Sequence, residues 1–210
     1  MVKLILIPAA QTDWRAQGRL AGHADLPLNE VGHSQAMADA SVIAKLHPAA
    51  VHCGPEQATR QTASIIAHEL RLRVRSEKAL RELDLGHWEG LTTEDFQDRF
   101  GKVHRQWRQE PMSVEPPEGE AVSDAAARLT SHVRKTMKRH ADHAVALVLG
   151  HFAAAILRCE LEDRSYEHFW DYVDGEDRHY AFDMAENEEG SSPHPDNDGI
   201  QGQRAPQGES

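Results

Sequence analysis

"LILIPAAQTDW", residues 4–14, opens as a continuous apolar run, stops at a proline and two alanines, and then turns polar. With Val2 in front of it, the run reads as a buried strand, Val2 to Ile7. Its counterpart is "AVALVLGHF", residues 144–152, the clearest strand in the chain, ending in Gly150-His151-Phe152 and feeding directly into the helical "FAAAILRCEL". Two buried strands, each followed by an abrupt change of character, suggest a parallel sheet whose carboxyl-terminal edge holds the chemistry.

The segments between them fit that reading. Residues 11–27 are polar and glycine-rich and read as a long loop. Asn29 precedes a helix running to about Leu46, and residues 49–54 form a second strand. Pro55 is placed to open the next helix as its first residue. A short strand near "RVRS" (73–76) follows, then loop-like "LRELDLGHWEG" (80–90). "TTEDFQDRF" (92–100) reads as a short threonine-capped helix with an acidic first turn. After a proline- and glutamate-rich loop (109–121), Ser123 is expected to cap a long helix whose "RKTMKR" end (134–139) complements the dipole and is solvated. "YEHFWDYV" (166–173) and a possible strand "HYAFDM" (179–184) close the domain. No internal repeat is visible. The pattern predicts an α/β fold, a three-layer α/β/α sandwich with a mostly parallel central sheet, over residues 1–184. Residues 185–210 contain almost no apolar side chains and read as a disordered acidic tail.

Composition narrows the function. The 210 residues suit one α/β domain, and 40% hydrophobic content is enough for a sizeable core. A net charge of −11 argues against a general nucleic-acid binder, which needs lysine and arginine to neutralise phosphates. The cysteines, Cys53 and Cys159, make no disulfide framework, so a reduced cytoplasm is the default location. No apolar run approaches a membrane span, and the N-terminal run lacks the cleavage site of a signal peptide. The chain has 14 histidines. His140 and His143 are close in sequence but lie where a helix is ending, and no HExxH or paired Cys/His spacing appears. They read as scattered surface residues, with no metal and no cofactor expected.

At the strand ends, His151 is placed either to contact an anion at a helix N-terminus or simply to cap and pack. Glu82 lies in a loop beside Trp88. It is either a general acid, if desolvated, or a solvated or salt-bridged carboxylate. Trp88 and Trp107 read as core and pocket-wall residues.

Taken in order, the segments resemble the histidine phosphatase superfamily, the phosphoglycerate mutase-like proteins, from about residue 3 to 160. Residues 8–12 stand where that family has R-H-G-E-T. "GRLAGHADLPL" (18–28) is similar to G-R-x-Q-G-x-x-D-x-P-L, and "LNEVGHSQA" (28–36) to L-T-x-x-G-x-x-Q-A. "CGPEQATRQTA" (53–63) resembles S-S-P-L-x-R-A-x-Q-T-A. Residues 80–92 resemble the loop bearing the family's acid, "PPEGEAVSD" (116–124) its P-x-G-E-S segment, and "LVLGHF" (147–152) V-V-S-H-G.

The resemblance implies a nucleophilic histidine after the first strand, two arginines and a second histidine around a phosphate, and a glutamate that protonates the leaving oxygen. This chain departs from that set. The nucleophile position is Ala9, its arginine neighbour is Pro8, and the second arginine position is Ala58. Arg60 lies two residues further, about 200° round the helix. Phe152 replaces a small residue after the second histidine, and Arg15 replaces an asparagine. No histidine occurs before His23, which is too far along to be the strand-end nucleophile. Glu82 and His151 survive as vestigial catalytic residues, and Arg15 and Arg19 are the candidate substrate-binding cations.

The expectation is therefore a catalytically inactive pseudophosphatase acting as a binding or regulatory module. Its partner would be an unidentified small molecule or protein, with neither nucleic acid nor membrane involved. The alternative is a divergent phosphatase or phosphoglycerate mutase-like hydrolase using Glu82 and His151. Convergence of Arg15 and Arg19 on the pocket would favour retained anion recognition. Splayed arginines would favour an interaction protein.

Overall fold

The first strand, β1 (Val2–Pro8), alternates its side chains between two apolar layers. Leu4 and Leu6 join one core cluster, and Ile5 and Ile7 the other. Such a strand is buried on both faces, so its run is continuously apolar rather than alternating. The molecule is described by a computed structural model covering residues 2–140, 143–162, 165–175 and 178–184. The expected acidic tail at 185–210 lies outside the described residues.

In chain order, β1 is followed by α1 (Asp13–Ala16), α2 (Glu30–Ile43), β2 (Ala50–Cys53), α3 (Gln57–Leu70) and β3 (Val74–Ser76). Then come α4 (Thr93–Gln109), α5 (Val122–Arg139), β4 (Val145–Leu149), α6 (His151–Leu161), α7 (Phe169–Asp174) and β5 (Tyr180–Met184). The sheet order is β3-β2-β4-β1-β5, with β5 alone antiparallel. Helices α2 and α3 cover the Ile5/Ile7 face, and α4 to α7 cover the Leu4/Leu6 face. This is the mostly parallel three-layer sandwich expected.

Local boundaries differ in instructive places. Asn29, which precedes α2, caps it by accepting from Gly32 N–H. Pro55 does not open α3, because the backbone stays extended at Glu56 and the helix begins at Gln57. Ser123 does not cap α5. The helix starts two residues earlier, with Ala121 in the cap position, because Val122 is fully buried in the core and draws the first turn forward. The short helix at 92–100 continues to Gln109 past a kink at Phe100, where φ is −126°. Its continuation is held by Trp107, which packs against Trp88, Phe96, Phe152 and Trp170. Burying that indole outweighs the poor helical conformation at the kink.

Pro8 ends β1 without damaging the sheet. Alternate N–H groups of a strand point to opposite neighbours. Ala9 N–H reaches Leu149 O at 2.7 Å, so the position of Pro8 faces the β5 side. The pairing with β5 stops at Leu6, and no ladder bond is lost there. Among the described residues, no helix is long and apolar enough to cross a membrane.

Candidate functional site

β1 and β4 are adjacent, with Pro8 opposite Leu149. The register brings Ala9 and Gly150 side by side at the carboxyl edge, where a cavity of about 70 Å³ opens. Ala9, Ala10, Ala58 and Phe152 line it together with Arg15, Arg19, Glu56, Glu82 and His151. The sequence-derived site residues are thus brought to one place, Pro8 excepted, which sits one residue behind Ala9 in the strand.

Glu82 is neither solvated nor salt-bridged. It is buried, and its carboxylate covers the N-terminus of α6. Oε2 accepts from Phe152 N–H at 3.0 Å, and Oε1 accepts from Ala153 N–H at 2.6 Å and Leu83 N–H at 2.7 Å. These donors include helix N–H groups with no intrahelical partner, and Gly150, the residue before the helix, has no side chain to satisfy them. Gly150 also makes room, since a Cβ there would stand 2.1 Å from Glu82 Oε2. Burial pushes the Glu82 carboxyl up to about 7. Glu56 adds to the rise, and the three N–H donors oppose it.

The loop bearing Glu82 is clamped from behind. Glu120 takes two hydrogen bonds from Arg128, at 2.9 and 2.6 Å, and one from Arg81 at 2.7 Å. Arg128 also donates to the carbonyls of Ala79 and Arg81. The "PPEGEA" segment therefore acts on the site through the backbone around Glu82. His23, from the first long loop, contacts Glu82 O through Nε2 at 2.9 Å.

His151 opens α6, and burial lowers its basicity well below the ordinary histidine range. Arg15 and Arg178 lower it further, while a backbone contact with Ala9 acts the other way. It is a neutral imidazole at physiological pH and adds no positive charge to the pocket. Ala9 is only 4% exposed, and its carbonyl accepts from Arg178 Nη1 at 3.1 Å.

The arginines divide. Arg15 lies within electrostatic reach of Glu82 and His151, but its Nη2 donates to Val173 O at 2.6 Å. Arg19 is tied to Gln17 Oε1 at 2.8 Å and Gly90 O at 2.7 Å. Both line the cavity, each with a guanidinium nitrogen held by a backbone carbonyl. Arg60 is not among the residues that line it and is engaged by Pro55 O and Asp25 instead. Phe152 stacks on Trp107, with ring centroids 5.7 Å apart, and meets Trp170 edge-on. It fills the wall with aromatic surface.

Sequence reasoning missed two residues. Glu56 sits inside the quoted "CGPEQATRQTA", at the place of the family's leucine. It is buried, and its Oε1 accepts from Glu82 N–H at 2.9 Å. The substitution was visible, but its direction was not, because the extended residue before α3 turns the carboxylate inward. Arg178 belongs to no motif. It enters from the segment before β5 and pairs with buried Asp39 at 2.8 Å. The histidines are not all at the surface either. His52 is 2% exposed, because its position in β2 faces the α5 layer.

Chemically, the pocket holds a carboxyl that titrates near neutrality, a neutral imidazole, a second carboxylate and partly engaged guanidinium groups. Ala9, at the position the sequence resemblance assigns to the nucleophile, presents a methyl group to it.

Comparisons with known proteins agree on the scaffold. The family model described as histidine phosphatase superfamily (branch 1) matches residues 4–185. Phosphoserine phosphatase 1 of Hydrogenobacter thermophilus is 30% identical over 172 residues, 82% of each chain. Glucosyl-3-phosphoglycerate phosphatase of Mycobacterium tuberculosis is 32% identical over 126 residues, covering 60% of this chain and 56% of that protein. The solved structure of the mycobacterial glucosyl-3-phosphoglycerate phosphatase with VO3 superimposes with a TM-score of 0.74 at 28% identity, covering 80% of this chain and 85% of that one. From the strand order to the motif series, the chain belongs to the histidine phosphatase superfamily, branch 1.

Proposed function

We propose that this chain is a catalytically inactive member of its superfamily, a pseudophosphatase whose cavity serves binding or regulation. The observation that carries the reading is Ala9 at the end of β1, buried at the cavity wall. A methyl group has no lone pair to attack phosphorus, and loss of a nucleophile alone costs on the order of 10⁶ in kcat in a hydrolase where this was measured. Two further observations support it. Pro8 and Ala58 remove the charges that would hold an anionic group in flight, and Glu56 adds a carboxylate to the same cavity. A phosphate dianion entering would meet more repulsion and less compensation than the family's chemistry requires.

The ligand class that suits the cavity is small and at most weakly charged, or a partner side chain of that character. Alanine and phenylalanine surfaces supply apolar contact, while His151 and Glu82 supply hydrogen bonds.

The test is activity and covalent capture together. Purified protein is expected to hydrolyse neither p-nitrophenyl phosphate nor phosphorylated sugars above a His151→Ala control, and to form no acid-labile phosphohistidine. Vanadate and phosphate are expected to leave the melting temperature unchanged. Turnover abolished by His151→Ala overturns the reading.

One observation favours the divergent-enzyme alternative. The Glu82 carboxyl, held near pH 7 in a cavity with a neutral histidine, has the properties of a general acid. In that case the substrate would be an ester lacking a phosphate dianion. Hydrolysis of a neutral ester panel that is lost in Glu82→Gln would establish it.

A further inference from the structure

A cluster of metal-ligating side chains lies away from the cavity, beneath α5 at the β2/β3 edge of the sheet. His52 points from β2 toward the α5 layer. Glu77 directly follows β3, with its N–H bonded to Cys53 O at 2.9 Å, and His132 comes from the middle of α5. One ligand atom from each of the three lies within 4.8 Å of the others.

Both ring nitrogens of His52 and Nε2 of His132 are buried without a hydrogen-bond partner. A buried imidazole with neither nitrogen satisfied is costly, and native interiors rarely leave one. Glu77 Oε1 stands 3.6 Å from His52 Nδ1, too long for a hydrogen bond. Two ligands bound at about 2.0–2.1 Å to a tetrahedral zinc stand about 3.3 Å apart, close to that separation.

We propose that His52, Glu77 and His132 form a binding site for a divalent transition-metal ion of the zinc class. Two imidazoles and one carboxylate are a borderline-soft donor set suited to zinc and unlike the all-oxygen sets of calcium or magnesium. The ring of His140 stands edge-on to His52 at 5.6 Å and walls the site. The nearby cations Arg75, Lys135 and Arg139 are exposed, where solvent screens their repulsion of the ion. A bound ion would join an edge strand to α5. None of the three ligands lines the cavity, so the site does not depend on the proposed function.

The test uses tag-free, chelator-treated full-length protein, titrated with Co²⁺ and then Zn²⁺. Expected are cobalt d–d bands saturating at one equivalent, their displacement by zinc, and a zinc-dependent rise in melting temperature. His132→Ala and Glu77→Gln, both at half-buried positions and checked for folding by circular dichroism, are each expected to weaken zinc binding by on the order of 100-fold. His33→Ala, on the exposed face of α2, is expected to leave it unchanged. Absence of cobalt bands and of a zinc-dependent melting shift in the wild type overturns the proposal. So does undiminished binding in either ligand variant, which would place the metal elsewhere among the histidines.

Discussion

Replacing Glu82 with glutamine separates the two roles of this carboxyl, because it keeps the shape and removes the titration. The wild-type group is held at about 7 against an ordinary 4.5. At 1.36 kcal/mol per pH unit, that difference is worth about 3 kcal/mol. The sign follows from proton counting. Between pH 4.5 and 7 the folded protein keeps a proton on Glu82 that the unfolded chain has released, so stability falls as pH rises across that window. The contribution is fully present below 4.5 and gone above about 7.

His52 acts in the opposite sense. Its folded value of about 4 lies below the ordinary 6.5, so its contribution grows as pH rises from 4 to 6.5 and masks the Glu82 slope in the wild-type profile. The difference between wild type and Glu82→Gln removes the His52 effect, which both proteins share. Urea unfolding of each protein at intervals from pH 4.5 to 7.5 is expected to show the wild type losing about 3 kcal/mol relative to the variant. A gap that stays constant with pH would refute a buried, proton-retaining Glu82. A gap that moves the other way would mean that the three N–H donors, not burial, set its ionisation.

Other outcomes follow from the same geometry. Gly150→Ala places a Cβ 2.1 Å from the Glu82 carboxylate and is expected to cost at least about 2 kcal/mol by chemical denaturation, since either the loop or the start of α6 must move. Glu120→Ala leaves the largely buried Arg128 without its bidentate partner and should cost about 3 kcal/mol in the same assay; a loss below about 1 kcal/mol would mean the clamp is not holding the loop. Phe152→Ala removes a ring packed among Trp107, Phe169 and Trp170, for an expected loss of about 3–5 kcal/mol. Ala9→His alone is expected to remain without phosphatase turnover, because Pro8 and Ala58 still supply no charge; turnover from that single change would show that Arg15 and Arg178 suffice as the clamp.

The sequence by itself was enough for the layers and for the set of residues that gathers at one strand edge. Continuous apolar strands buried on both faces announce a parallel sheet, and the order of short motifs located Pro8, Ala9, Ala58, Glu82, His151 and Phe152 around one strand edge. Such readings depend on local periodicity and on residue identity, both of which a linear chain displays. Tertiary structure decided what the local pattern leaves open. Whether Glu82 is solvated or buried depends on α6, seventy residues away, offering its free N–H groups to the carboxylate. That Glu56 and Arg178 reach the same neighbourhood depends on an extended residue before α3 and on the return of the chain toward β5. The meeting of His52, Glu77 and His132 depends on strand register and helix packing together. Side-chain direction and long-range proximity are set by packing the whole chain, and it is these that determine the charge of a pocket.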